Sequence, residues 1–121
     1  MLGALIGLIM AGTPLPFAEL VADPVEEQKV AWMTELHKCE NINNVPKILD
    51  TNGYYSYADF MYQMATWLKY GKRFGANKTN ISSSTLQWKV TRYVLDTYGW
   101  ENDWVTCGKL TVKKLGLYPS S

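Results

Sequence analysis

Histidine and cysteine are scarce in this chain. His37 stands alone, and Cys39 and Cys107 are the only thiols. There is no CxxC and no His/Cys cluster, which excludes the usual structural zinc sites, so neither a metal nor another cofactor is expected. A surplus of charge is also missing. Twelve basic residues face eleven acidic ones, for a formal charge of +1. Nucleic-acid binders carry a strong basic excess, so no nucleic-acid partner is expected. No apolar run approaches the roughly 20 residues that a membrane-crossing helix needs. No internal repeat or low-complexity tract occurs.

What is present is enough for one folded domain. The chain has 121 residues, 47% of them hydrophobic, which suits a single globule with a modest core. A monomer is expected. Five Trp and eight Tyr are many for this length; such rings fill cores and also stack on sugars. Residues Leu2 to Ala11 are apolar and are followed by Gly12-Thr-Pro-Leu-Pro16. The run is too short to span a bilayer and suits the apolar part of a secretory signal, although no Lys or Arg precedes it. A truncated membrane anchor is the other reading. Residues 1–22 are thus set apart as a signal or apolar segment, and residues 23–121 as the domain. The cysteines are either two buried thiols or one bridge, and an exported chain favours the bridge. Such a bridge would close a loop of about 70 residues and stabilise by about 4 kcal/mol on the chain-entropy view.

Asp23-Pro24-Val25-Glu26 reads as a helix start, with Asp23 as cap, Pro24 at the first position and Glu26 completing a capping box. The helix runs to about Glu40, with Val30, Met33, Leu36 and His37 on its apolar stripe and Glu40 on or beside the same face. His37 reads as a packing or surface residue. Asn52-Gly53 predicts a hairpin between Ile48-Leu49 and Tyr54-Tyr55. Ser56 to Asp59 reads as the capped start of a second helix, with Phe60, Met64, Trp67 and Leu68 as its stripe and Gly71 as its end. Asp50 reads as a turn residue and Asp59 as a first-turn acid. Lys72, Arg73 and Lys78 fall in a loop that is either simply solvated or meets an anionic polymer. A third helix opens at Ser84-Thr-Leu-Gln87, buries Leu86, Val90, Tyr93 and Val94, and closes at Gly99. An aromatic loop from Trp100 to Cys107 leads to a short last helix over Lys109 to Leu115.

Three features then stand in a familiar order: Cys39-Glu40 at a helix end, Ser56-Tyr57 leading to Ala65-Thr66-Trp67, and Trp104-Val-Thr-Cys107-Gly108 near the C-terminus. Together they resemble the lysozyme-like peptidoglycan-cleaving domains, closest to the resuscitation-promoting-factor and transglycosylase-like group, over roughly Trp32 to Lys109. The resemblance implies a mostly α (α+β, lysozyme-like) fold, a small helical domain with a glycan groove and a short β-hairpin or ordered loop. It implies that Glu40 is the general acid and that Cys39 and Cys107 pair. Thr66 matches a groove-lining threonine, Tyr57 the aromatic beside the hairpin, and Met61 stands where the family has a groove glutamine. Ala58 stands where the family usually has glycine. Ser56 occupies the place where animal-type lysozymes carry a second acid, so a single-acid scheme on Glu40 is expected. The implied partner is the peptidoglycan glycan strand, and the implied location is secreted or cell-surface. The alternative is a catalytically inactive wall-binding or structural relative of the same fold.

Overall fold

The computed structural model describes residues 23–120; the proposed signal or apolar segment lies outside them. The described residues form a mostly α, α+β domain of four helices and one three-stranded antiparallel sheet. In chain order these are α1 (Pro24–Glu40), β1 (Lys47–Leu49), β2 (Tyr55–Tyr57), β3 (Tyr62–Gln63), α2 (Met64–Gly71), a 3₁₀ turn (Lys72–Phe74), α3 (Ser84–Tyr98) and α4 (Val105–Leu115). No helix among the described residues is long and apolar enough to cross a membrane.

Helix α1 starts where its caps dictate. The Asp23 carboxylate accepts from the Val25 amide at 2.8 Å, satisfying one of the unpaired donors of the first turn. Glu26 does not complete a capping box. Its two oxygens take a bidentate pair of hydrogen bonds from Arg92 of α3, at 2.6 and 2.7 Å. The buried face is also turned from the expected one. Lys29, Trp32, Met33 and Leu36 are buried, while Val30 is exposed. Lys29 is accommodated by an ion pair with Asp96 of α3 at 2.9 Å. Asp96 in turn accepts from the Tyr118 hydroxyl, and Trp32 Nε1 donates to the Gly116 carbonyl. These polar bonds make Trp32 and Lys29 inward-facing and strap the C-terminal tail back over α1.

The hairpin forms around Asn52-Gly53 as expected, with Lys47 opposite Tyr57, Ile48 opposite Ser56 and Leu49 opposite Tyr55. Gly53 adopts φ +87°, which only glycine enters without strain. The second helix begins later than Ser56. Residues Ser56 and Tyr57 pair instead with Gln63 and Tyr62 of a third strand, and α2 starts at Met64 without a side-chain cap. The capping pattern fails because its members bond elsewhere. The Ser56 hydroxyl donates to Asp50, while Asp59 accepts from Ser84 Oγ and Trp88 Nε1 of α3. Phe60 is a core residue, but it sits on the β2–β3 turn rather than on a helix stripe. Gly71 ends α2, but not as a left-handed cap. A Cβ there would stand 2.5 Å from the Ala76 Cβ, so its role is close packing. Gly75 makes the left-handed turn.

Helix α3 has the expected ends, capped by Ser83 and closed by Gly99 at φ +81°, but its buried face is Gln87, Val90, Thr91, Val94 and Leu95, with Leu86 and Tyr93 only half-buried because the face is turned toward the sheet that Gln87 bonds. Helix α4 begins at Val105, four residues earlier than expected, which carries Cys107 into its first turn. The core lies between these elements, with Trp32, Leu36, Phe60, Trp67, Val90 and Val94 all at 1% exposure or less. Gln87 is also fully buried there. It donates to the Tyr57 and Ile81 carbonyls and accepts from the Phe60 amide. Backbone groups of β2, the β2–β3 turn and the turn before α3 are thereby satisfied by one α3 side chain, which fixes the sheet against the helices.

Candidate active site

Glu40 is the last residue of α1, and both of its neighbours are anchored. Cys39 is bridged to Cys107 of α4, with their Cα atoms 5.7 Å apart. Asn41 is buried, and its amide donates to the Val45 and Ala58 carbonyls while its oxygen accepts from the Val45 amide. The Glu40 backbone is therefore held on one side by a covalent link and on the other by three hydrogen bonds. Such support fixes the point from which the Glu40 side chain leaves the backbone.

The Glu40 side chain is half-buried. No hydrogen bond or ion pair to its carboxyl occurs among the described residues. Burial therefore disfavours its charged form, and the negative charge of Asp50 adds to the effect, pushing its pKa from the ordinary 4.5 up to about 7. The unpaired carbonyls at the end of α1 act in the same direction, because a helix C-terminus repels an anion.

Asp50 has the opposite environment. It lies just beyond β1 on the exposed hairpin loop. Ser56 Oγ donates to its Oδ2 at 2.6 Å, the Thr51 amide to its Oδ1 at 3.2 Å, and Gln63 Nε2 to its Oδ2 at 3.3 Å. The Ser56 bond first, then the Thr51 amide, and more weakly Gln63, hold this carboxyl below the usual carboxylate range against a small burial effect. Ser56 does hold the strand position without a charge, but it hydrogen-bonds an acid delivered from the adjacent loop.

Asp50, Ser56, Gln63 and Thr66 line a polar cavity of about 280 Å³ together with Tyr62, Asn102, Asp103 and Trp104. The cavity is rich in hydroxyl, amide and carboxyl groups and is floored by two aromatic rings. Of the residues expected to meet substrate, Thr66 lines it, whereas Tyr57 and Met61 do not. Glu40 does not line it either, although the charge of Asp50, which does, acts on Glu40. Tyr57 lies on β2 with its ring 6.3 Å from that of Tyr55. Met61 and Ala58 occupy left-handed backbone at φ +53° and +58° in the β2–β3 turn. His37 packs: its Nδ1–H donates to the Asp59 carbonyl, and its ring lies against Phe60 and Trp88. Asp59, tied to Ser84 and Trp88, pins the turn to α3.

Asp50, Asn41, Asn102 and Asp103 are additions that the sequence reading did not assign to the site. For Asp50 a signal existed, since a hairpin turning at Asn52-Gly53 brings position 50 back toward positions 54–56. No group of three or more His, Cys, Asp or Glu able to hold a metal ion occurs among the described residues. Comparison of the chain with protein-family models, curated proteins and solved structures returned no match in any of the three. The site's own chemistry therefore carries the functional reading.

Proposed function

We propose that this chain is a lysozyme-like enzyme, secreted or at the cell surface, that cleaves the β-1,4 bonds of peptidoglycan glycan strands. One observation carries the reading: two interacting carboxyls have environments that drive their proton affinities apart, Glu40 up to about 7 and Asp50 downward. A neutral acid beside a carboxylate is the pairing that glycoside cleavage uses. The Cys39-Glu40 helix end, the hairpin, Thr66 on the cavity wall and the bridge to α4 support the choice of a peptidoglycan strand.

In this mechanism Glu40 gives its proton to the glycosidic oxygen as the C–O bond breaks, and the leaving sugar departs as an alcohol. The ionised Asp50 stabilises the positive charge that develops on the other sugar. Glu40, now a carboxylate, takes a proton from the group that attacks that carbon. If the group is water, a reducing end forms; if it is the sugar's own 6-hydroxyl, an anhydro end forms. Activity falls as pH rises through about 7, because the acid is lost. On the acid side it falls only when the well-stabilised Asp50 becomes protonated.

The test is release of soluble fragments from purified peptidoglycan, with product masses read by mass spectrometry. Wild type is expected to release fragments, Glu40→Gln to lose at least a hundredfold in rate, and Asp50→Asn to lose much of kcat. No release by wild type, or equal release by wild type and Glu40→Gln, rejects the enzyme. A specific observation favours a binding-only relative as second reading: the cavity is lined by Asp50 and Thr66 but not by Glu40. That reading predicts sedimentation of wild type and Glu40→Gln with the wall alike, without release.

A further inference from the structure

A second cavity, of about 500 Å³, lies where α2, the 3₁₀ turn and the end of α3 meet. Lys69, Tyr70, Lys72, Arg73, Tyr93 and Tyr98 line it. That is three cations, three phenols and no carboxylate. Of the chain's twelve Lys and Arg residues, Lys29, Arg92 and Lys114 sit within 3.0 Å of a carboxylate oxygen. Lys69, Lys72 and Arg73 join none of the ion pairs among the described residues. Gathering three unpaired positive charges at one rim of a protein with net charge +1 works against folding by mutual repulsion. The negative end of a helix attracts basic residues, but it does not draw tyrosines around them.

The arrangement prepares the cations for a ligand. The Arg73 guanidinium lies 4.7 Å from the centre of the Tyr93 ring, and Nη1 donates to the Tyr93 hydroxyl at 2.7 Å. A neutral partner thus orients the fork while leaving its other N–H donors for an anion. Lys69 Nζ stands 5.0 Å from the centre of the Tyr70 ring. Tyr98 is 52% exposed, and its ring packs on Tyr70 and Tyr93 at 5.4 and 6.1 Å. These rings give the cavity flat apolar surfaces beside a cationic rim.

The geometry points to a binding site, lined by Lys69, Lys72, Arg73 and Tyr98, for a phosphate group carried on a sugar or polyol. A phosphate presents enough oxygens to accept from an arginine fork and two ammonium groups together. The sugar or polyol carbons pack on the tyrosine faces. A nucleic acid fits less well, because three cations cannot neutralise the many phosphates under a typical footprint. This inference does not rest on the glycosidase reading. None of the residues lining this cavity lines the other.

Titration calorimetry on the full chain tests the inference, with glycerol 1-phosphate, a short poly(glycerol phosphate) chain, inorganic phosphate and neutral dextran as probes. Both glycerol phosphates are expected to bind, more weakly as salt is raised. Arg73→Ala and the Lys69→Ala/Lys72→Ala pair should each weaken binding by about tenfold or more, with unchanged unfolding midpoints. Tyr98→Ser should weaken the glycerol phosphates but not inorganic phosphate. Much tighter binding of the polymer than of the monomer identifies a chain as the ligand; equal binding per phosphate identifies a free phosphorylated polyol. Glu40→Gln is expected to bind as wild type does, which separates this result from the turnover assays. No binding of either glycerol phosphate by wild type, affinity unchanged in Arg73→Ala, or equal affinity for dextran overturns the inference.

Discussion

Replacing Glu40 by glutamine should make the protein more stable above neutral pH while abolishing its proposed chemistry. The folded-state pKa of Glu40, about 7, lies above its ordinary value of 4.5. The folded chain therefore holds this proton more tightly than the unfolded chain does. The corresponding stability is fully present below about pH 4.5 and is lost as pH rises through about 7. A displacement of about 2.5 units corresponds to about 3 kcal/mol once the group is ionised in both states. Glutamine keeps the shape and never ionises, so the Glu40→Gln variant lacks this loss. Urea unfolding of both proteins from about pH 4 to pH 8 should show a stability difference that grows by about 3 kcal/mol, on the order of 10 °C in melting temperature for a domain of this size. In Asp50→Asn most of the pH dependence should remain, because burial is the larger cause. Parallel pH profiles for wild type and Glu40→Gln would refute the claim that this carboxyl is held uncharged, as would a carboxyl-carbon NMR titration of Glu40 at its ordinary value.

Three further predictions concern the frame around the site. Ala58 holds φ +58°, where a Cβ costs roughly 1–2 kcal/mol; Ala58→Gly, after loss of the methyl and added chain freedom, should stabilise by about 0.5 kcal/mol in urea titrations. Gln87→Leu should lower unfolding free energy by about 3 kcal/mol or more, since it strands the buried Phe60 amide and the Tyr57 and Ile81 carbonyls. Reducing the Cys39–Cys107 bridge, whose ends are 68 residues apart, should lower stability by about 4 kcal/mol. Reduction should also depress fragment release at temperatures where the fold survives, because Glu40 follows Cys39 directly. Equal melting with and without reductant would count against the first of these two effects.

Local patterns were legible wherever one short-range cause decided the outcome. Asp23-Pro24 set the start of α1, Asn52-Gly53 placed the hairpin, and Gly99 closed α3, each through chemistry confined to a few neighbouring residues. The Cys39-Glu40 pair marked the helix end that became the candidate site. Where local signals competed with distant partners, the distant partners prevailed. Ser56 and Asp59 looked like a helix start, but their side chains bond Asp50, Ser84 and Trp88, and the segment pairs as strand. Lys29 turned inward and Val30 outward because Asp96, far along the chain, supplies the opposite charge.

The sequence by itself determined the mostly helical architecture, the hairpin and the position of Glu40 at a helix end, because periodicity and turn chemistry act over a few residues. Tertiary structure alone decided that Gln87 joins sheet to helix, that Glu40 is desolvated within reach of the Asp50 charge, and that hydrogen bonds led by Ser56 hold Asp50 low. Desolvation and charge coupling depend on what surrounds a group in space, and a linear string of residues does not state that.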